Sequence, residues 1–214
     1  MTAQTRHPSE ELVLDFARGA LEAGRALVLR VHLAVCPECR AAVRLAEAVG
    51  GALIDEIEPS PMAADALART LALLDLPPSP PPAAMRPPDD WIRVPSDVLI
   101  AAERDKRHAA PGVWVANVTR NPDSGARSYL LGVGPGIAVP LHTHRGSEFV
   151  CVVKGAYKDR GHVYGPGDFV ENDEAVEHQP RVTREGECVC LIAADHLLVP
   201  RSVQARLLQP LVGI

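Results

Sequence analysis

The residues best suited to chemistry in this chain fall into two groups. The first is His32, Cys36 and Cys39 in the stretch VHLAVCPECR, spaced four and three apart. On a continuous helix these positions would share one face. Pro37 argues against continuity, because proline lacks the N–H and its ring clashes with the preceding turn. At the first position of a new helix it costs little. A break at Cys36 still lets one helix end and the next helix start converge on a point. Two thiols and an imidazole suit zinc, which in structural sites takes four tetrahedral nitrogen and sulfur donors. His7, the other histidine of the first 76 residues, is the candidate for the fourth place. Plain core residues or a redox pair are the rival readings, but a Cys-x-x-Cys redox pair usually follows a strand. A metal would also supply folding free energy to a half that holds a single Phe and a thin core.

The second group lies in GIAVPLHTHRGSEFVCVVKG, residues 136–155. His142 and His144 alternate along an expected strand, so their side chains face the same way, and Glu148 has the same parity. His178 follows in a separate segment, VENDEAVEHQP. Three imidazoles and a carboxylate would take Zn, Mn, Fe or Ni. Downstream, Cys188 and Cys190 share one face of an expected strand and, with Cys151, are candidate redox-sensing thiols or buried core residues.

Two kinds of element must position these groups. Upstream the pattern is helical. Ser9 is placed to cap a first helix carrying Leu12, Phe16 and Ala20, with Gly19 near its end. A second helix is expected over Leu21–Val35 and a third over Pro37–Val49, ended by Gly50-Gly51. A fourth is expected from Ser60-Pro61, with Leu67, Leu71 and Leu74 as an apolar stripe. That stripe is either core or a helix-in-groove element for a partner. Residues 77–89, PPSPPPAAMRPPD, hold seven prolines and read as a semi-rigid spacer. Beyond it, short β-branched runs (VWVANV, SYLLGV, FVCVV, CVCLIA) between glycines and prolines suit an antiparallel barrel or sandwich. The expected organisation is thus a small all-α zinc-binding domain at 1–76, a linker at 77–89 and an all-β domain at 90–214.

Charge narrows the function. Residues 1–76 contain 7 Arg, no Lys and 11 acidic residues, a net of −4. Such a surface does not neutralise phosphates, which excludes a helix-turn-helix reading and direct nucleic-acid binding. No apolar run of transmembrane length or signal-peptide pattern is present, so a cytoplasmic location is expected.

Gly136, His142, His144, Glu148 and Gly155 match the first motif of the cupin superfamily, G-x5-H-x-H-x3-4-E-x6-G, position for position. The second motif is degraded, with Asp173 and Ala175 where Pro and Gly are usual. Together with the His-Cys-Cys helical half, the chain resembles the ChrR-type zinc-binding anti-sigma factors over nearly its whole length. The resemblance implies a C-terminal cupin, a double-stranded β-helix or jelly-roll barrel. It implies zinc at His7, His32, Cys36 and Cys39, and zinc or another divalent transition metal at His142, His144, Glu148 and His178. It further implies an extracytoplasmic-function (ECF) sigma factor as partner, release by singlet oxygen or a related oxidant, and a protease acting after the signal. The alternative from the same cupin residues is a dioxygenase-like metalloenzyme, with Tyr157, His162 and Glu177 as candidate pocket groups.

Overall fold

The computed structural model describes residues 6–77 and 85–203. The proline run expected as a spacer falls largely on residues 78–84, outside the described residues, as do residues 204–214 of the expected β domain. The helices are α1 Glu10–Ala17, α2 Ala23–Leu33, α3 Pro37–Asp55, α4 Ala66–Leu74 and α5 Ser96–Asp105. The strands are β1 Arg107–Ala110, β2 Val113–Arg120, β3 Arg127–Val133, β4 His142–Thr143, β5 Glu148–Lys154 and β6 Tyr157–Asp159. They continue as β7 His162–Tyr164, β8 Phe169–Asn172, β9 Arg181–Val182, β10 Cys188–Ala194 and β11 Val199–Pro200. No described helix is long and apolar enough to cross a membrane.

The helix ends follow local chemistry. Ser9 caps α1, accepting from the Leu12 N–H at 3.3 Å. The second helix is shorter than expected at both ends. Glu22 caps it by accepting from Gly24, and before Pro37 the N–H groups of Val35 and Cys36 bond back to the His32 carbonyl. Cys36 then caps α3, with Pro37 at its first turn. Ala20, expected on the face of the first helix, lies beyond its end at Ala17, and two further expectations fail. The third helix does not stop at Gly50-Gly51 but runs through them to Asp55. Neither glycine takes the left-handed conformation of a helix stop, and each merely costs about 1 kcal/mol relative to Ala. The fourth helix starts at Ala66 rather than at Ser60-Pro61, with Asp65 at its cap and no side-chain bond fixing the start.

All strand pairings within the sheets are antiparallel. The large sheet has the order β1-β2-β3-β10-β5-β8, the second β7-β6-β9, and a two-stranded piece pairs β11 with β4. Residues 148–154 and 188–194 lack polar alternation because the large sheet is covered on both faces. Val150, Val152, Cys188, Cys190 and Ile192 point into the barrel with Tyr129, Tyr157 and Tyr164. Phe149, Cys151, Val153, Val189 and Leu191 point outward, into a core shared with α1, α2, α3 and α5. The helical half is therefore seated on the outside of the barrel, with α2 against β5 and β10. Arg25 of α2 pairs with Asp195 and stacks over Phe149. Helix α5 was not expected. It buries Val98, Leu99 and Ala102 against β2, and Pro95-Ser96 was the start signal that the β pattern masked.

Two candidate metal centres

The helical cluster gathers His7, His32, Cys36 and Cys39, whose ligand atoms all lie within 4.8 Å of one another. Both thiols reach His7 Nδ1, Cys36 at 3.5 Å and Cys39 at 3.4 Å. His32 donates from Nδ1 to the Gly167 carbonyl at 2.7 Å, which leaves its Nε2 lone pair for the cluster. That Nε2 is buried and has no hydrogen-bond partner. A buried orphan acceptor facing two thiols is what a bound cation would satisfy. Burial pulls the His32 pKa down, and burial together with the neighbouring Cys36 pushes Cys39 up to about 12. The donor set fits zinc, which would replace the thiol protons.

The barrel cluster gathers His142, His144, Glu148 and His178, all buried, with ligand atoms again within 4.8 Å. His142 Nδ1 donates to the Pro140 carbonyl at 2.7 Å, and His178 Nδ1 to Asp159 at 2.8 Å. Their Nε2 atoms are thereby turned toward each other as acceptors 3.0 Å apart. His144 Nε2 stands 3.1 Å from His178 and 3.7 Å from the Glu148 carboxylate. Converging lone pairs beside a buried carboxylate call for a cation, and these donors fit a divalent transition metal. Burial, and then the neighbouring imidazoles, lower His142 to about 4 and His144 to about 3. Burial raises Glu148. At Asp159 burial pushes upward, but the bond from His178 and the Arg160 charge outweigh it and leave the carboxyl below its usual range.

The degraded second motif is replaced by a different turn. The Asp173 side chain accepts from the Ala175 N–H at 2.9 Å and its carbonyl from Val176 at 3.1 Å, so an Asx turn delivers His178 without Pro or Gly. Only His142 of the first pair lies in a strand, since β4 is two residues long. Gly146, at φ +77°, bends the chain so that Glu148 can open β5.

Cys188 and Cys190 face the barrel interior with their sulfurs 3.8 Å apart. They line a cavity of about 60 Å³ together with His142, Glu148, Tyr129 and Ile192. The bond to Cys188, and burial, raise the Cys190 pKa. Tyr157 also lines this cavity, but His162 and Glu177 are exposed, and Glu177 pairs with Arg201. The pocket groups of the rival enzymatic reading are not brought together, and the cavity is far below the several hundred Å³ typical of small-molecule sites. Leu67, Leu71 and Leu74 are 69%, 51% and 77% exposed, and α4 buries no residue. Sequence reasoning missed Asp159 and Asn172. No spacing signal marks them, because only the fold brings them to the ligands.

Comparison with known proteins agrees with this layout. Residues 97–198 match a family profile described as the ChrR cupin-like domain, and residues 9–40 match one described as a zinc-finger. The chain is 34% identical over 208 residues to Anti-sigma-E factor ChrR of Cereibacter sphaeroides, covering 97% of this chain and 98% of that one. The structure is similar to ChrR in the crystal structure of Rhodobacter sphaeroides SigE in complex with the anti-sigma ChrR. There the TM-score is 0.73 at 32% identity, over 90% of this chain and 100% of that one. With 34% identity over nearly the full length of both chains and the ChrR cupin-like profile over residues 97–198, the chain belongs to the ChrR family of anti-sigma factors.

Proposed function

We propose that this chain binds and inhibits an ECF-type sigma factor through its helical part, and that its metal-bearing cupin governs release. The division at 1–76, 77–89 and 90–214 is the functional one in this reading. The observation that carries it is the bare apolar surface on the helices that the barrel does not cover. Leu45, Val49, Leu53 and Ile54 of α3 are more than half exposed, as are all three leucines of the α4 stripe. A patch of this kind marks a protein partner. The acidic sign of residues 1–76 suits a basic one. ChrR of Rhodobacter sphaeroides was crystallised with SigE, which supports a sigma factor in that role.

Zinc at His7, His32, Cys36 and Cys39 would tie the ends of α2 and α3 to the segment before α1, and so hold the partner-binding helices in register. A metal at His142, His144, Glu148 and His178 would be the oxidant-responsive centre, with Cys188 and Cys190, which line the same cavity, as oxidisable thiols. Release by singlet oxygen or a related oxidant, in the cytoplasm and completed by a protease, follows this division of labour. The test is co-purification with an ECF-type sigma factor from the same organism, with and without a zinc chelator. Undiminished binding by a Cys36→Ala, Cys39→Ala variant refutes the zinc-dependent mechanism.

A further inference from the structure

Strand β8 is the last strand of the large sheet, so among the described residues one side of its backbone has no neighbouring strand. The segment that leads into α1 takes that place. Phe169 donates its N–H to the Arg6 carbonyl at 3.1 Å. Two residues on, the Glu171 carboxylate accepts from both the backbone N–H of Ser9, at 2.6 Å, and its hydroxyl, at 3.1 Å. His7 lies between these two clamps. The other imidazole of the helical cluster is held by the turn entering β8, where His32 bonds to the Gly167 carbonyl and rests edge-on against Phe169 at 5.6 Å. That turn fits closely, since a Cβ on Gly167 would stand 2.9 Å from the Val35 side chain. Two of the four donors of the helical cluster are thus aimed by the barrel. The other two, Cys36 and Cys39, are aimed by α3.

The opposite face of the same strand serves the other cluster. Asn172, buried and one residue from Glu171, donates from Nδ2 to the Glu148 carboxylate at 3.0 Å. Its own oxygen accepts from Arg160 at 3.0 Å. Glu148 and Asn172 are register partners across β5 and β8. Because side chains alternate along a strand, a four-residue element touches both clusters at once.

We infer that β8 couples the two metal centres, orienting His7 and His32 from its edge and outer face while it orients Glu148 from its inner face. This rests on reading both clusters as metal sites. A cation drawing on Glu148 fixes Asn172 and with it the strand, so barrel loading slows metal loss from the helical cluster. An emptied barrel site leaves β8 held on one side only, and the His7 clamp opens more often. The coupling is reciprocal, as any linkage between two binding equilibria must be. It gives the inhibitor a route from the barrel to the helices that does not pass through the proline-rich segment.

The experiment loads the full chain with zinc, in the absence of any partner, and follows transfer to a chromophoric chelator. A His144→Ala variant, which impairs the barrel site, assigns the phases. A Co²⁺-loaded sample reports the thiolate-bearing helical cluster by its sulfur-to-metal charge-transfer band. Helical-cluster zinc is expected to leave about tenfold faster in His144→Ala, the usual size of a lost orienting contact. Glu171→Ala, at an exposed position, is expected to give the same acceleration with the barrel still loaded. Combining the two changes is expected to add little, and Glu171→Gln to restore part of the rate. Equal rates in Glu171→Ala and the parent chain overturn the coupling, as do two accelerations that multiply independently. A parent chain that binds fewer than two zinc ions overturns the reading of the clusters instead, and the coupling with it.

Discussion

The α4 stripe allows a prediction whose size follows from exposure. Leu67, Leu71 and Leu74 keep 69%, 51% and 77% of their surface in water. Leu→Ala removes the equivalent of three methylenes, worth about 0.8 kcal/mol each when taken from full exposure to full burial. Scaled by these exposures, each leucine contributes about 1–2 kcal/mol if a partner covers it. A triple Leu→Ala variant is then expected to weaken sigma binding by about 3–5 kcal/mol, or between about 100-fold and a few thousand-fold in Kd. The free chain does not bury these residues, so its thermal midpoint should hardly move. Titration calorimetry against the purified sigma factor, with a melting curve for each variant, measures both quantities. An unchanged Kd refutes the stripe as a docking element. A weakened Kd accompanied by a fall of many degrees in the melting temperature refutes the premise that the stripe is free before binding.

Further outcomes follow from the geometry. Gly132 lies against the Trp114 ring, where an added Cβ would overlap it, so Gly132→Ala should cost about 1–3 kcal/mol. By contrast, Gly50→Ala, in open space on α3, should gain up to about 1 kcal/mol, and paired urea melts decide both. In the metal-free protein Cys39 stays protonated until about pH 12, so zinc binding expels that proton, and helical-site affinity should fall about tenfold per unit of acidification for each proton expelled. His142 and His144 titrate near 4 and 3 and are already neutral at pH 6, so competition titrations at pH 7.5 and pH 6 should find the barrel site much less affected. A barrel site that loses affinity first contradicts this order. Finally, a Cys188→Ser, Cys190→Ser double variant should keep sigma binding but blunt the oxidant response, and an unchanged response removes the thiols from the mechanism.

The ligands were legible in the sequence because they obey local rules. Cys36, Pro37 and Cys39 are fixed by a helix start, while His142, His144 and Glu148 stood out by their spacing, although only His142 lies in β4 and Gly146 bends the chain before Glu148 opens β5. What was not legible depends on where separate elements meet. Gly50-Gly51 looked like a stop, but a glycine pair stops a helix only if the chain turns left-handed there, and here the backbone hydrogen bonding continued. The seating of α2 on β5 and β10 left its trace only as strands without polar alternation, which a closed barrel alone would not produce. Asp159, Asn172 and Glu171 carry no motif, since their roles depend on which strand ends beside which ligand.

The cover that residues 6–9 provide for β8 also bears on solution behaviour. An open sheet rim is a template for the rim of another molecule, and proteins that leave one bare tend to self-associate. Here four residues ahead of the first helix close one of the two rims of the large sheet. Trimming or displacing them would expose main-chain groups that match themselves in a second copy. The size of the particle in solution therefore becomes a sensitive reporter of whether the helical part is seated, readable by light scattering with no partner present.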